Sequence, residues 1–339
     1  MNLRPSLSSR VLTISALALT TLIAPTTLKA TSNKTPLVHV IMTVDWEGRN
    51  LSPTNIAAMQ QLRQDYPTLP ILHYLNAAYY FKSGANAEQT TDTIHSTLLP
   101  IDQLGLHIHG WQSLFTAAGV TFRNQPNWNP GGKPLTDAEC ASDCGHSIPI
   151  RAYSEAELSQ VIKFSIDTLS SHGFGRAQHF RTGGWMLSQR VSNALTANGI
   201  VSDSSAVPAE FLHARLYNYP LYQWAVQTWT GITQTSQPYL LNTKHGALLE
   251  VPDNGCLADY MSGAQMLTVL RANLAEAQAS GEERIVVVGF HQETAADWLP
   301  HIRDFLSGAF ALNANGQVVS FGAMPTQLWQ RRGLLHRMA

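Results

Sequence analysis

The sequence predicts an α/β fold: a parallel sheet rolled into a (β/α) barrel with helices packed outside it. Strand-like and helix-like segments alternate over roughly 280 of the 339 residues, the pattern of repeated βαβ units. The strand-like runs number about seven or eight, which suits a barrel, with a doubly wound open sheet as the alternative. Asp45, His107, Arg181 and His291 all stand at the C-terminal ends of such runs. Parallel α/β folds collect their chemistry there.

Each element has its own signal. Leu37 to Val44 is mostly apolar and reads as a buried strand. Ser52-Pro53 supplies a cap and a first-turn proline for a helix to about Asp65. A strand is expected over Ile71 to Asn76, a helix over Ala87 to Leu98, and a short strand over Leu104 to His109. Residues 112 to 150 break the rhythm with a Pro-, Asn- and Gly-rich stretch. A loop of that length is either the wall of a substrate groove or a stapled surface excursion. Ser154-Glu-Ala-Glu157 is a capping box, and Leu158, Val161, Ile162, Ile166 and Leu169 follow at helical spacing. Strands over Gln178 to Arg181 and Ile200 to Asp203 flank a helix from Leu187 that Gly199 stops. A strand over Ala247 to Val251 and a helix over Gly263 to Ala279 come next. Arg284 to His291 is the strongest strand, followed by a helix over Ala295 to Leu306 and a last strand over Val318 to Phe321.

Composition narrows the partners. Hydrophobic residues make up 44% of the chain and charged residues 13%, which suits a large core rather than a disordered chain. Residues 1–30 read as a cleavable export signal. Arg4 and Arg10 form the basic start, Val11 to Ala24 the apolar stretch, and Leu28-Lys29-Ala30 the cleavage site. An uncleaved anchor is the alternative, though the apolar run is short and broken for a membrane span. The expected organisation is a signal peptide (1–30), a short linker (31–36), a catalytic barrel (37–325) and a C-terminal tail (326–339), in a secreted or periplasmic protein. No stable membrane insertion is expected after cleavage. Without residues 1–30 the chain has 19 basic and 23 acidic residues, a net charge of −4. With no Lys/Arg cluster to track phosphates, a nucleic-acid partner is excluded. Cys140 and Cys144 lie close together, and export permits a disulfide between them. A metal pair is the rival use, but only His146 stands nearby to complete it. Cys256 is left as a free thiol.

Two short constellations carry the chemistry. In Asp45-Trp46-Glu47 the two carboxylates point the same way from an extended backbone, as do the imidazoles of His107-Ile108-His109. Two carboxylates beside two imidazoles form a ligand set for a divalent metal, Zn²⁺ the expected ion, with one carboxylate left as a base. Asp45 is assigned as that base, and Glu47, His107 and His109 as ligands. Arg181 can keep the base charged and oriented through a fork-shaped hydrogen bond. His291 can protonate a leaving group. Trp111 can contact substrate, and an exposed-looking Trp185 can form an apolar wall or stack on a sugar, with a core Trp the alternative; Asp253 and Asn254 form a plausible substrate-contact loop, although Asp-Asn-Gly is also ordinary turn chemistry.

The ordered motifs TVDWEG (43–48), GLHIHGW (105–111), FRTGGW (180–185) and VVVGFH (286–291) resemble the polysaccharide deacetylases with a NodB homology domain, carbohydrate esterase family four. The resemblance covers roughly residues 37 to 325. It implies a distorted (β/α) barrel of about seven parallel strands and metal-dependent N- or O-deacetylation of a polysaccharide or oligosaccharide. It gives Asp45 the base role and His291 the acid role, sets Arg181 to orient the base, and places Glu47 where the family's ligand is usually Asp. The family usually spaces its two histidine ligands four residues apart, whereas here position 111 is Trp and the second histidine is His109. A catalytically silent carbohydrate-binding protein, and an amidohydrolase of small C–N substrates, are the alternative functions.

Overall fold

A computed structural model of the chain describes residues 37–132, 140, 142–316 and 318–324. The expected signal peptide, linker and C-terminal tail lie outside the described residues.

Among the described residues, nine strands form one sheet: β1 (Val38–Asp45), β2 (Ile71–Leu75), β3 (Gln103–Ile108), β4 (His179–Thr182), β5 (Ser202–Asp203), β6 (Tyr239–Thr243), β7 (Gly246–Glu250), β8 (Arg284–His291) and β9 (Val319–Phe321). The order is β6-β7-β5-β4-β3-β2-β1-β8, with β9 also on β1. All pairings are parallel except β6 with β7. The sheet is therefore a curled half-barrel. Among the described residues no ladder joins β8 to β6, so the barrel is distorted rather than closed. The antiparallel β6 corrects the all-parallel expectation. It enters through a tight hairpin to β7, and an antiparallel pair needs only a short turn where a parallel one needs a crossover. Its half-buried, partly polar Tyr239–Thr243 run carries little strand signal.

The helices are α1 (Pro53–Asp65), α2 (Ala87–His95), α3 (Gln112–Ala117), α4 (Glu155–Ser171), α5 (Gln189–Ala197), α6 (His213–Leu216), α7 (Pro220–Thr228), α8 (Gly263–Ser280) and α9 (Ala295–Ala314). Ser154 and Ser262 both close capping boxes, on α4 and α8. Ser52 stands at the N-cap of α1, but its side chain makes no capping bond. α2 stops at His95, short of the expected Leu98. α9 runs past the expected Leu306 to Ala314 and carries Pro300 inside it, where the ring removes the N–H that would bond the Ala296 carbonyl. α3 falls within the stretch expected to be loop, and α6 and α7 fall where no element was assigned; each is short for a clear 3.6-residue period.

Strand parity divides the core. Val38, Val40, Met42 and Val44 of β1, with Val286, Val288 and Phe290 of β8, join the large cluster under the helices. Ile41, Leu72, Tyr74, Ile285 and Val287 form a smaller cluster on the opposite face of the sheet, inside the curl. Asp45, His107, Arg181 and His291 share the parity of that inner face. Register does the rest: Asp45 pairs with His291 across β1 and β8, and His107 pairs with Arg181 across β3 and β4.

Candidate active site

These four strand ends open into a cavity of about 340 Å³, walled also by Trp128, Tyr219, Leu221 and Tyr260. Asp45 stands at its floor and is buried. Its Oδ1 accepts a hydrogen bond from Arg181 Nη1 at 2.9 Å. Arg181 is wholly buried over the Tyr74 ring. Its Nε and Nη2 donate to the carbonyl and hydroxyl of Ser204, at 2.8 and 3.0 Å. Nη2 also lies 3.4 Å from Asp253 Oδ1. The expected fork onto one carboxylate is thus replaced by a bridge between Asp45 and Asp253. Burial acts to lower the Arg181 pKa, but Asp253 and Asp45 outweigh it and raise it. Burial pushes Asp253 up to about 6, against the pull of Arg181.

Glu47 sits at the centre. Its Oε1 is 3.1 Å from His107 Nε2, and its Oε2 is 3.0 Å from His109 Nε2 and 2.6 Å from His146 Nε2. Burial opposes its ionisation, yet His109, His291 and His107 together hold it well below the ordinary glutamate range. Its position is built from several sides. Trp111 Nε1 donates to the Glu47 carbonyl at 2.7 Å. Glu293 accepts the backbone N–H groups of Glu47 and Arg49, each at 3.0 Å, together with the Tyr79 hydroxyl.

The donor set fits a divalent cation. His107 Nδ1 lies 2.8 Å from the Arg181 carbonyl, and His109 Nδ1 lies 2.7 Å from the His146 carbonyl. A carbonyl only accepts, so both Nδ1 atoms carry a proton, and each ring in its neutral form turns the Nε2 lone pair toward Glu47, free for a cation. His109 Nε2 is buried and has no hydrogen-bond partner. Lone pairs converging on a carboxylate repel one another unless a cation sits among them. Glu47, His107 and His109 offer ligand atoms all within 4.8 Å of one another. Gly183 makes room for the ring, since a Cβ there would come 2.7 Å from three His109 atoms.

His291 closes the other wall. Its Nε2 lies 3.6 Å from Glu47 Oε1, and its Nδ1 is paired with Asp259, which Thr294 Oγ1 also bonds at 2.5 Å. Burial would depress His291, but Asp259 and Glu47 raise it to about 10.

Several assignments need correction. Trp185 is buried, not exposed; its Nε1 donates to Asp253 Oδ2 at 3.0 Å, though part of it still lines the cavity. Trp111 is also buried, with Lys82 on its face, and it positions Glu47 from the cavity wall. Asp253 and Asn254 stand away from the cavity that the other site residues line. Both are buried outside the cavity lining, Asp253 against Arg181 and Asn254 tied to the backbone of Ser236, Ile285 and Val287. The Cys140–Cys144 disulfide is formed, and Cys256 is free and buried. Asp259, Glu293 and the site position of His146 escaped the sequence reading. Only the nearness of His146 to the cysteine pair, and of Glu293 to His291, pointed toward them.

No protein-family profile matches the sequence, and no curated protein resembles it. Solved structures do resemble the fold. A protein assigned as a polysaccharide deacetylase from Mycobacterium smegmatis superposes with a TM-score of 0.51 at 11% identity, over 87% of this chain and 90% of that one. The Puue allantoinase gives 0.52 at 11% identity, over 88% and 92%. The 4-alpha-glucanotransferase of Thermococcus litoralis gives 0.50 at 10% identity, over 88% of this chain and 41% of that one. The chain therefore carries the NodB-like fold, the distorted barrel of the polysaccharide deacetylases and of allantoinase.

Proposed function

We propose that this protein is an exported, metal-dependent hydrolase that releases acetate from an N- or O-acetylated glycan. The observation that carries this reading is the convergence of Asp45, Glu47, His107, His109 and His291 on one cavity, with Arg181 buried behind Asp45. A divalent ion held by Glu47, His107 and His109, with Zn²⁺ the favoured one, would supply Lewis acidity to the acyl carbonyl and to a water. Asp45 takes the proton of the attacking water. Arg181 engages Oδ1 and leaves Oδ2 to do so. His291, protonated and backed by Asp259, donates to the departing amine or alkoxide. Trp128, Tyr219 and Tyr260 give sugar rings apolar faces to pack on. Export is supported by the basic-then-apolar N-terminus and by the disulfide.

The test is acetate release from acetylated chitooligosaccharides by purified protein, before and after chelation. Asp45→Asn should lower turnover by about 10²–10⁴-fold while metal content is unchanged. Activity that survives both chelation and Asp45→Asn refutes the assignment. Glycan binding without any turnover would favour the silent binder. The cavity volume lies at the low end of the roughly 300–1,000 Å³ of ligand pockets, so a small amide is the second substrate class to assay.

A further inference from the structure

The excursion between α3 and α4 returns to the site at His146, a residue with no part in the mechanism above. Its Nε2 is 2.6 Å from Glu47 Oε2, closer than either His107 or His109 comes to that carboxylate. Its ring stacks on His109, with centroids 4.2 Å apart and planes within 8°. Its carbonyl accepts the Nδ1 proton of His109.

This placement is built by the surrounding chain. Gln112 N–H donates to the Cys144 carbonyl at 2.8 Å. Asp143 accepts from the Ser113 hydroxyl and pairs with Lys82, both at 2.6 Å. Gly145 lies so close to β3's end that a Cβ would come 2.1 Å from the Gly110 carbonyl oxygen. The Cys140–Cys144 disulfide closes the chain just upstream. A residue held merely as cavity wall has no need to aim a ring nitrogen at the carboxylate that His109 already faces.

We propose that His146 is a third imidazole ligand of the ion held by Glu47, His107 and His109, delivered by the disulfide-stapled excursion 37 residues beyond His109. This inference rests on the metal-site reading. A single carboxylate oxygen faces two imidazole nitrogens, and a cation among them turns that crowding into ligation. A fourth protein donor leaves an open position only on an ion that accepts a fifth ligand, so Co²⁺ is a useful probe beside Zn²⁺.

The experiment titrates Zn²⁺ and Co²⁺ into the metal-free protein against a chromophoric chelator. Wild type is compared with His146→Ala, His146→Asn, His107→Ala and, as an exposed control, His245→Ala. Circular dichroism checks the fold of each; the His146 side chain is 26% exposed, so its loss leaves little cavity. The expected result is a loss of affinity of at least ~10-fold in both His146 variants, by analogy with the 10–100-fold loss that even outer-shell changes cause. The visible band of the Co²⁺ protein should also shift, and His245→Ala should match wild type. Wild-type affinity and an unchanged band in the His146 variants, with His107→Ala impaired, overturn the inference and leave the metal site standing. Absence of binding by wild type, or no effect of His107→Ala, overturns both.

Discussion

Gly183→Ala isolates how finely the metal site is set. Gly183 does not lie in the left-handed region, so alanine meets no backbone penalty and acts only through its methyl. That methyl would come 2.7 Å from Cγ, Cδ2 and Cε1 of His109. Ordinary contact begins at 3.4 Å, so the ring must move by roughly 0.7 Å. The ring is stacked on His146 and tied to its carbonyl, so any shift disturbs those contacts and the placement of Nε2 against Glu47. Overpacking of this kind costs about 1–3 kcal/mol of stability. A displacement near 1 Å in a catalytic group costs on the order of 10² in rate. The variant should therefore melt lower, bind Zn²⁺ about 10–100-fold more weakly and turn over about 100-fold more slowly. Thermal melts, chelator competition and acetate release measure the three quantities. A folded Gly183→Ala protein with wild-type metal affinity and rate would refute the claim that this glycine is there to admit the His109 ring.

Further outcomes follow from the buried charges. Arg181→Met strips the shared cation from Asp45 and Asp253 and should cost about 3–5 kcal/mol in urea unfolding; a second change, Asp253→Asn, should recover part of it. Asp253 is raised from 3.8 to about 6, so its folded form favours the proton and stability falls as pH rises through that window. Asp253→Asn should flatten the stability profile there, and an unchanged slope would contradict the burial argument. His291 acts while protonated, so activity is lost as pH rises through its raised pKa, about 10. Asp259→Asn removes the main carboxylate that raises it, so the alkaline limb of the pH–rate profile should move down by roughly 1–3 units. A limb that stays in place would take His291 out of the acid role.

The alternation of elements, the strand-end location of Asp45, His107, Arg181 and His291, and the capping box at Ser154 were all legible along the chain. These are local properties: periodicity, capping chemistry and the position of a polar residue at the end of an apolar run. The close cysteines and the acidic and imidazole pairs were legible for the same reason. What those residues face depends on how the chain folds. Register set Asp45 beside His291 and His107 beside Arg181, because hydrogen-bond pairing across strands has no signature along the chain. The fold turned Arg181 into a bridge and drew Asp253 inward, away from the cavity lining. It brought Asp259 to His291, Glu293 to the Glu47 backbone and His146 to the Glu47 carboxylate, across separations of 32, 246 and 99 residues. Such contacts depend on how the sheet curls and how the long excursion folds back. Spacing along the chain holds no trace of either.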